Sequence, residues 1–447
     1  METKIIKIDQ DNLDHKLMQE AGDLIAAGEL VAFPTETVYG LGGDALDPEA
    51  SKKIYSAKGR PSDNPLIVHI SDFSDLERIA KTVPEDARKL SDAFWPGPLT
   101  MIVEKGDAVP YATTGGMDTV AVRMPNPPIA LDLIRRSGCL IAAPSANTSG
   151  RPSPTEAAHV AEDLSGKIAM IIDGGPVGIG IESTIIDLTE DTPMVLRPGY
   201  ITPQMLSKVL GKEVIIDPGI IAADDTRKPK APGMKYKHYA PKADMAIVDG
   251  TRKHVIAKIN ELVASHRDDG KKIAVIATEE TKQFYDADVV LSMGSRADED
   301  SIAHELYRIL RDCDELDVDV IFSESFSTPR IGQAIMNRML KAAGHQVIDT
   351  HVKYDKIIFV AQTGTCREQM AKGIMNDFVL KVPMEIEARG LVVQFPEPEQ
   401  VFVLSQYVGD ELEILDPYGG TLQSYGLCYE SLRATLKKLV KRLNANT

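Results

Sequence analysis

Residues 1–210 alternate between helical and strand patterns of hydrophobic positions. In "NLDHKLMQEAGDLIAAGE", Leu13, Leu17, Ala21, Leu24 and Ile25 fall on one stripe of a helix. Short apolar runs predict strands: "LVAFPT", "PLIVHI", "LTMIVEK", "TVAVRMP", "CLIAAPS", "AMIID", "STIIDLT" and "MVLRPG". Some of these runs follow one another directly, without room for a crossover helix. The pattern therefore predicts an α/β domain with a mixed twisted sheet rather than a purely parallel one.

Residues 244–350 have a more regular rhythm. Strand patterns in "MAIVDG", "KIAVIAT", "DVVLSMG" and "VDVIFSES" alternate with helical stretches. The clearest helix is "SIAHELYRILRDCDEL", with Ile302, Leu306, Ile309, Leu310 and Cys313 on one face. Repeated βα units predict a small, doubly wound, Rossmann-like parallel sheet. Because it has no GxGxxG turn, a dinucleotide site is not indicated.

Two further segments complete the predicted organisation. Residues 211–243 are rich in Pro, Gly and charge without a sustained period, which indicates a linker. Its compact "APGMKYKHYAP" favours a functional loop over a disordered one. Residues 351–447 begin with a strand, "DKIIFV", and end in an amphipathic helix, "SYGLCYESLRATLKKLVKRL".

Composition narrows the function classes. No apolar run approaches the ~18–20 residues of a membrane span, and "METKIIKIDQDNLDHK" has no apolar h-region, so we expect neither a span nor a signal peptide. The four cysteines, Cys139, Cys313, Cys366 and Cys428, form no CxxC pair, which favours a cytoplasmic location. A net charge of −16 argues against an extended nucleic-acid surface, because such surfaces need surplus Lys and Arg. A small anion held by a local basic cluster remains compatible.

Two stretches of the first domain suggest chemistry. "FPTETVYGLG" places Thr35, Thr37 and Tyr39 at a strand end, before glycines that would let a ligand approach the backbone. A plain strand-to-loop turn explains the same letters. "SAKGRPSDNPLIVHI" supplies Lys58 and Arg60, which in an extended loop point the same way and could grip one polyphosphate. A solvated basic turn, followed by a hydrogen-bonded structural histidine in the strand, is the alternative.

Further polar side chains occur at the ends of apolar runs. Arg123 lies inside "TVAVRMP", where a buried charge needs a partner, either a protein carboxylate or a ligand carboxylate. "AAPSANTSGRPSPT" opens into Ser145, Asn147 and Ser153, which suit polar recognition, although turn chemistry alone also accounts for them. "GIESTIIDL" and "VLRPGYI" add a serine and an arginine.

Taken in this order and spacing, these stretches resemble the YrdC-type L-threonylcarbamoyl-AMP synthases, and residues 1–345 resemble their two-domain form. The motifs that match are "PTETVYGLG", the Lys-x-Arg of Lys58 and Arg60, "NPLIVHI", "WPGPLT", "AVRMP", the Ser-x-Asn of Ser145 and Asn147, "SGRPSPT", "ESTI", "LRPG" and "APGMKYKHYAP".

The resemblance implies a nucleotidyltransferase that condenses L-threonine, bicarbonate and ATP to L-threonylcarbamoyl-AMP and pyrophosphate. Its product would pass to the tRNA threonylcarbamoyl-transfer machinery. By the same resemblance, the catalytic residues would be Lys58, Arg60, Ser145 and Asn147. Threonine would be held by Thr37, His69, Arg123, Ala143 and Ser183. ATP would be held by Arg60, Asn64, Thr119, Ser145, Ser153, Arg197 and Tyr239, with Tyr236 as the alternative to Tyr239. Mg²⁺ would sit mainly on the ATP phosphates, so no residue is nominated as its ligand.

Other function classes stay open at this stage. An RNA-binding protein with a YrdC-like fold is disfavoured by the net charge, and an inactive scaffold by the two intact signature pairs. A carbamoyl-transfer maturation factor would carry zinc-finger cysteine pairs and an acylphosphatase-like segment, and neither is present in the sequence.

Residues 355–447 resemble a shortened low-molecular-weight protein tyrosine phosphatase. "KIIFVAQTGTCREQMA" is similar to the strand and phosphate loop of that family, and "DPYGG", from Asp416, is similar to its general-acid loop. The nucleophile position holds Ala361, which has no thiolate, and Cys366 occupies the family's other cysteine position. We therefore expect no phosphatase activity, and the sequence leaves open whether Arg367 and the loop still bind an anion or serve as a docking surface. The missing elements predict an exposed sheet face, covered either by the 244–345 domain or by a second subunit in a homodimer.

Overall fold

The computed structural model describes residues 2–221, 239–326, 330–350, 356–361, 367–376, 385–390, 404 and 422–445. The chain forms two compact units. The first comprises residues 1–249 and 255–348, and the second comprises residues 250–254 and 349–447. Tyr236, Cys366 and Asp416, all named from the sequence, lie outside the described residues.

The first part of unit one is built on a large mixed sheet. Its strands are β1 (Lys4–Lys7), β2 (Val31–Pro34), β3 (Tyr39–Asp44), β4 (Ile67–His69), β5 (Leu99–Glu104), β6 (Thr119–Arg123), β7 (Ile141–Ala142), β8 (Met170–Asp173), β9 (Thr184–Asp187), β10 (Met194–Arg197) and β11 (Ile215–Ile216). Within the described residues they lie in the order β1-β8-β2-β3-β7-β4-β6-β5-β9-β10-β11. The pairs β1–β8, β4–β6 and β5–β9 are parallel, whereas β2–β3 and β5–β6 are antiparallel. The predicted mixed sheet is confirmed.

Helices cover both faces of this sheet. They are α1 (His15–Ala26), α2 (Pro48–Lys58), α3 (Ser74–Ile79), α4 (Glu85–Phe94), α5 (Tyr111–Thr114), α6 (Pro128–Ser137), α7 (Ala157–Leu164), α8 (Pro203–Leu210) and α9 (Pro218–Ile221). Alternate residues of β2 point to opposite faces: Ala32 joins the core under α2, α4, α7 and α8, and Phe33 joins the core under α1 and α6. Each face therefore has its own apolar core.

Helix α1 differs from its predicted stripe. Asp14 caps it by accepting hydrogen bonds from the backbone N–H groups of Lys16 and Leu17, so the helix begins after Leu13. Its fully buried residues are Met18, Ala21, Gly22 and Ile25. Leu13, Leu17 and Leu24 are only partly buried, because the face that meets α6 is centred between them.

The glycines after Tyr39 have a different role from the predicted one. They belong to β3, a buried strand, rather than to a loop. A Cβ on Gly42 would lie 2.8 Å from Ile141 Cγ2 and 2.9 Å from Phe33 Cε1. These glycines allow close packing against the neighbouring strands, and only Gly40 lines the cavity described below.

The second part of unit one contains β12 (Asp244–Asp249), β13 (Ile273–Ala277), β14 (Val289–Ser292), β15 (Val320–Glu324) and β16 (Val347–Asp349) in the order β14-β13-β15-β12-β16. Strands β12 to β15 pair in parallel. Helix α10 (Arg252–Asp268) covers one face, and α11 (Glu299–Glu315) and α12 (Gly332–Ala342) cover the other. The predicted doubly wound parallel sheet is confirmed.

Two arginines join these two parts of unit one. Arg311 of α11 and Arg338 of α12 are the largest fully buried side chains among the described residues. Arg311 Nη2 lies 3.0 Å from Asp163 Oδ2 and donates to the carbonyl of Pro152 at 2.7 Å. Because a buried charge needs full pairing, these contacts fix where the second sheet docks on the first.

The described residues of unit two are few. Strands β17 (Lys356–Ala361) and β18 (Glu385–Gly390) pair in parallel, and α13 (Arg367–Asn376) lies between them in the chain. Residues of α13 pack on the last helix, α14 (Leu422–Ala445), through Ile374, Met375, Leu432 and Leu436. Ala361 ends β17 and Arg367 begins α13, and the resemblance of this segment to a phosphatase stays a prediction.

Candidate active site

Strand register brings several of the sequence-predicted side chains together. His69 of β4 is the register partner of Arg123 of β6, and Arg123 is the partner of Thr100 of β5. Thr100 Oγ1 in turn lies 2.7 Å from the hydroxyl oxygen of Ser183, just before β9. Three neighbouring strands thus place a histidine, an arginine and a pair of hydroxyls in one row across the sheet.

Arg123 is buried, 4% exposed, and its guanidinium has protein partners. Nη1 donates to Thr37 Oγ1 at 3.0 Å. Nη2 lies 2.7 Å from Glu36 Oε1 in an ion pair, although the two groups are not aligned for a hydrogen bond. Of the two partners that the sequence left open, the structure contains the protein carboxylate.

His69 is a buried, neutral imidazole. Its Nδ1 lies 3.1 Å from the carbonyl oxygen of Ile67, and its ring meets that of Phe33 edge to face at 6.2 Å. Burial, followed by the charge of Arg123, lowers the pKa of His69 from 6.5 to about 3. The imidazole therefore carries no charge at neutral pH and can exchange hydrogen bonds with a polar ligand.

Lys58 does not lie in an extended loop, so that part of the prediction is wrong. It is the last residue of α2, and Gly59 ends the helix in the left-handed conformation, with φ +60°. The Lys58 ammonium donates to the backbone carbonyls of Ser145 and Asn147, the latter at 2.5 Å. Burial, followed by the charge of Arg60, lowers its pKa. Lys58 thus ties α2 to the Ser145–Asn147 segment.

Arg60 is held from one side by its own loop. Nε donates to the carbonyl of Asn64 at 3.1 Å, and Nη2 donates to the carbonyl of Pro65 at 2.9 Å. Burial lowers the pKa of Arg60 to about 10, so it stays charged at neutral pH. Backbone carbonyls therefore orient a permanent cation at the cavity.

The segment from Ser145 to Ser153 is fixed by backbone hydrogen bonds to β3. Leu41 donates its N–H to the carbonyl of Pro144, and Tyr39 donates to that of Pro154. The Ser145 hydroxyl donates to Asn147 Oδ1, and Asn147 Nδ2 donates to two carbonyls of the same segment, both at 2.9 Å. Neighbouring elements thus hold this polar loop in one shape.

Arg197 and Tyr239 also line the cavity, beside Ser183. Arg197 Nε donates to the carbonyl of Ser183 at 3.0 Å, and Nη2 donates to its hydroxyl at 3.1 Å. Tyr239 has φ +64°, a costly backbone conformation for a tyrosine, and its ring lies 5.0 Å from that of Tyr307. Ala240 N–H donates to the carbonyl of Gly150 at 3.0 Å, which anchors this segment to the cavity rim.

One cavity collects most of the predicted residues. Its walls include Thr37, Lys58, Arg60, His69, Arg123, Ala143, Ser145, Asn147, Ser183, Arg197 and Tyr239. Three predicted ATP residues are not on its surface. Asn64 is buried beside Arg60, Thr119 begins β6 with partial exposure, and Ser153 is fully buried beside Glu182.

Sequence reasoning did not nominate Glu182, although the motif "ESTI" contains it. Glu182 is the one carboxylate among the described residues that line the cavity, and it is 6% exposed. Burial is offset by the charge of Arg338 and then of Arg197, and the pKa of Glu182 falls to about 2. Thr35, Ser149 and Gly150 also line the cavity.

The charge balance of the cavity indicates its ligands. Lys58, Arg60, Arg123 and Arg197 line it, against the single carboxylate of Glu182. The whole chain, by contrast, has a net charge of −16. Fixed cations in a polar cleft attract and orient anions, so the fold and the cleft define a binding protein or enzyme for anionic small molecules.

Comparison with known proteins identifies the family. The model "Sua5_yciO_yrdC", described as "Telomere recombination", matches residues 23–199. The model described as "Threonylcarbamoyl-AMP synthase, C-terminal domain" matches residues 201–344. Threonylcarbamoyl-AMP synthase of Pyrococcus abyssi is 51% identical over 77% of this chain and 99% of its own length. That of Bacillus subtilis is 52% identical over 74% of this chain and 93% of its own.

Solved structures agree with these relatives. P. abyssi Sua5 complexed with L-threonine has a TM-score of 0.74 and 49% identity, covering 78% of this chain and all of that one. A doubly substituted P. abyssi Sua5 gives a TM-score of 0.75 with 48% identity, over 79% of this chain and 99% of that one. The chain belongs to the threonylcarbamoyl-AMP synthase family, and its function is the synthesis of threonylcarbamoyl-AMP.

Proposed function

We propose that the cationic cavity is the place where L-threonine, bicarbonate and ATP combine, and that the chain is a nucleotidyltransferase supplying tRNA modification with its activated intermediate. The observation that carries this proposal is the cluster of Lys58, Arg60, Arg123 and Arg197 on one cavity. The reaction brings together an amino-acid carboxylate, a carbamate and a triphosphate. Their mutual repulsion has to be overcome by fixed cations.

The strand row would hold threonine. Arg123 faces the cavity and would pair with the threonine carboxylate, while the neutral His69 and the hydroxyls of Thr37 and Ser183 offer hydrogen bonds to its amine and hydroxyl. Ala143 would pack against the threonine methyl. Glu36 already neutralises Arg123 at 2.7 Å, so threonine has to share or displace this carboxylate.

A second group of lining residues would hold ATP. Arg60 is charged and oriented, and Arg197 is fixed by Ser183, so both can face phosphate oxygens. The loop of Ser145 and Asn147 supplies polar groups beside them, and Tyr239 closes the wall. Asn64, Thr119 and Ser153 would assist from behind this surface or after a shift on binding.

Mg²⁺ is proposed to enter on the ATP phosphates. Among the described residues, no group of three His, Cys, Asp or Glu side chains is arranged to hold a metal ion. The cavity carboxylate, Glu182, is engaged by Arg338 and hydroxyls. These residues fit an ion whose ligands are mainly phosphate oxygens and water, and the ion would neutralise charge on the leaving pyrophosphate.

The chemistry then proceeds without a covalent enzyme intermediate. The threonine amine nitrogen forms a bond to the carbon of CO₂ and loses a proton, or forms it to the carbon of bicarbonate, whose C–OH bond breaks so that water leaves; either route gives a carbamate. A carbamate oxygen attacks the α-phosphorus of ATP, the bond from that phosphorus to the bridging oxygen breaks, and pyrophosphate leaves. The residues of the chain orient the two anions and stabilise the charge on the phosphorus centre.

Pyrophosphate release tests the proposal. We expect release to require ATP, threonine and bicarbonate together, because the attacking carbamate forms only from the other two substrates. Arg60→Ala should lower the rate by about 10²–10³-fold, since it removes a preorganised cation. The exposed Arg78→Ala, whose side chain pairs with Asp75 on the surface, is the matched control and should leave the rate unchanged.

Release that persists without threonine or without bicarbonate contradicts the reaction. Release that is unaffected in Arg60→Ala contradicts the assigned site.

The remaining proposals concern location and the C-terminal segment. Scattered cysteines without CxxC pairs favour the reducing cytoplasm as the place of the reaction. No described helix has both the length and the apolar character needed to cross a membrane. Residues 355–447, similar to a low-molecular-weight phosphatase, are proposed to be an inactive accessory with an anion cradle or an interface. Equal pyrophosphate release from the full chain and from residues 1–350 would support the accessory role, and loss of release in the shorter chain would contradict it.

A further inference from the structure

Glu182 belongs to the first part of unit one, the first domain, but two of its partners come from the second part, the second domain. Its Oε1 accepts a hydrogen bond from the Ser153 hydroxyl at 2.6 Å and lies 2.9 Å from the Tyr307 hydroxyl. Its Oε2 is 2.7 Å from the same tyrosine hydroxyl and accepts from Arg338 Nε at 3.1 Å. We call Glu182, Ser153, Tyr307 and Arg338 the Glu182 cluster.

Arg338 holds the backbone of the site as well as the carboxylate. Its Nη1 donates to the carbonyl of Pro198, and its Nη2 donates to the carbonyl of Glu182 itself at 3.3 Å. Pro198 directly follows Arg197, and Glu182 directly precedes Ser183, to which Arg197 donates. Arg338 of α12 thus holds the start of β9 and the end of β10, the two strand ends beside which Ser183 and Arg197 line the cavity.

Tyr307 connects the same carboxylate to Tyr239, another residue that lines the cavity. Its ring lies 5.0 Å from that of Tyr239, and its hydroxyl is bound to Glu182. Of the proposed ATP contacts, Ser153 therefore belongs to the Glu182 cluster, and Arg197 and Tyr239 adjoin it. Of the proposed threonine contacts, Ser183 directly follows Glu182 in the chain, whereas His69, Arg123 and Thr37 make no hydrogen bond or ion pair to the cluster among the described residues.

We propose that Glu182 is a positioning residue through which the second domain completes the ATP half of the active site. This inference rests on the proposed function, because it takes the cavity walls around Arg197 and Tyr239 to be the ATP site. Tyr307 and Arg338 set the position of the carboxylate, and the carboxylate sets Ser153 and the neighbouring backbone.

The charge of Glu182 explains why it needs Arg338 as a partner at this cavity. A carboxylate on the cavity wall would repel a triphosphate unless a cation compensates it, and Arg338 does so from within the protein interior. Removing only one member leaves a buried charge unpaired, whereas removing both restores neutrality. The effect of the second substitution should therefore depend on the first, which a double-mutant cycle measures.

Other contacts between the two domains offer a control. Arg330, in the same domain as Arg338, stacks its guanidinium 5.2 Å from the ring centre of Tyr200 in the first domain and pairs with Asp300 at 2.5 Å. Within the described residues, Arg330 has no hydrogen bond or ion pair with the Glu182 cluster. Arg330→Met therefore makes the same substitution as Arg338→Met and weakens the contact with Tyr200, but it leaves the Glu182 cluster intact.

The experiment compares Glu182→Gln, Arg338→Met, the double variant of both, Tyr307→Phe and Arg330→Met in the full chain. ATP binding is measured by calorimetry without threonine, and the KM for ATP and for threonine by pyrophosphate release. We expect Arg338→Met to weaken ATP about 10-fold in both measurements, with the KM for threonine within about twofold of wild type. The double variant should bind ATP more tightly than Arg338→Met, and Arg330→Met should match wild type.

A pH profile separates positioning from simple loss of structure. The groups that face Glu182 are Ser153, Arg197, Tyr239, Tyr307, Arg338 and Lys341. With Arg338 present the pKa of Glu182 is about 2, so it stays ionised from pH 5 to 8 and adds no pH dependence to ATP affinity. Without Arg338 that pKa rises, so ATP affinity in Arg338→Met should fall as pH increases across this range.

Tyr307→Phe, a smaller change, still tests the inference if Arg338→Met does not fold. Tyr307→Phe removes only a hydroxyl and keeps the ring under Tyr239, and it should raise the Kd for ATP about threefold, consistent with the loss of one hydrogen bond. Equal changes in the KM for ATP and for threonine, an additive double variant, or unchanged ATP binding in Tyr307→Phe would each overturn the inference.

The two proposals fail in different ways. If wild type binds ATP but releases no pyrophosphate from the three substrates together, the proposed reaction is wrong, and the calorimetric comparison still tests the cluster. If wild type is active and none of the cluster variants changes ATP binding, the cluster proposal alone is wrong.

Discussion

Lys58→Met tests whether this lysine holds the active-site loop or grips phosphate. The ammonium is buried, with Lys58 1% exposed, and it donates to the carbonyls of Ser145 and Asn147. Methionine keeps the apolar stem and removes the donor, so two carbonyls lose their partner. Each buried acceptor left unpaired costs about 1–3 kcal/mol.

The magnitude follows from this count. Because the substitution also removes the cost of burying an ammonium, whose pKa burial lowers, we take the lower part of the combined range, about 2–3 kcal/mol. For a folding unit of this size, each 1 kcal/mol shifts Tm by about 2–4 °C. The expected fall in Tm is therefore about 4–12 °C.

Thermal unfolding of the ligand-free full chain is the assay, with Lys52→Met as the matched control. Lys52 pairs with Glu49 at 2.6 Å, but their side chains are 66% and 69% exposed, so its loss should cost at most about 1 kcal/mol. A Tm of Lys58→Met equal to that of the control, together with weakened ATP binding, would refute the loop-holding role and return Lys58 to a phosphate grip.

Three further predictions concern separate sites. Glu36→Gln should bind threonine about 3–10-fold more tightly by calorimetry, because it removes the carboxylate that competes for Arg123 at 2.7 Å; weaker binding would show that Glu36 orients the arginine instead. The free energy of unfolding should fall as pH drops from 6.5 towards 3, because His69 takes up a proton in the unfolded state but not when it is buried. The fall should be steeper in wild type than in His69→Gln by about 1.4 kcal/mol per pH unit. Equal slopes in urea unfolding at pH 6 and pH 4 would contradict this. The full chain should not hydrolyse aryl phosphates, since Ala361 cannot attack phosphorus, and turnover lost on Cys366→Ser would disprove it.

The sequence predicted the site best where side chains alternate along strands. Apolar runs located β4, β5 and β6, and polar interruptions in those runs marked His69 and Arg123. Strand register then placed both residues in one row, which periodicity alone does not specify. The sequence therefore marked the two positions, whereas their adjacency required the fold, and their roles in binding stay predictions.

The sequence predictions differed from the structure where a short sequence motif is compatible with two local structures. The run of Tyr39 to Gly43 has glycines for either a ligand loop or close strand packing, and only the position of Phe33 and Ile141 decides. Lys58 and Arg60 fit an extended pair, but Gly59 ends a helix between them. The first alternative is settled by the packing of β3 on its neighbouring strands, and the second by the helix end at Gly59.

Glu182 was missed for a related reason. In "GIESTIIDL" it is an ordinary acidic residue before a strand, and nothing nearby compensates its charge. Its partners Tyr307 and Arg338 lie 125 and 156 residues further along the chain. A helical pattern in α11 predicted the apolar face that packs on the sheet but gave no signal for the tyrosine that reaches the first domain.

The buried pair of Arg338 and Glu182 also constrains how this protein can change over evolution. Losing Arg338 by one substitution would leave the carboxylate of Glu182 in the interior without its ion-pair partner, at a cost of about 3–5 kcal/mol, a large part of ordinary folding stability. Losing Arg311 should cost less, because Asp163 keeps an ion pair with Arg151. A tolerated change at Arg338 therefore has to alter both partners, which lie 156 residues apart in the chain. Descendants of this sequence should keep this pair intact or lose both members together, so the two parts of unit one should be inherited together.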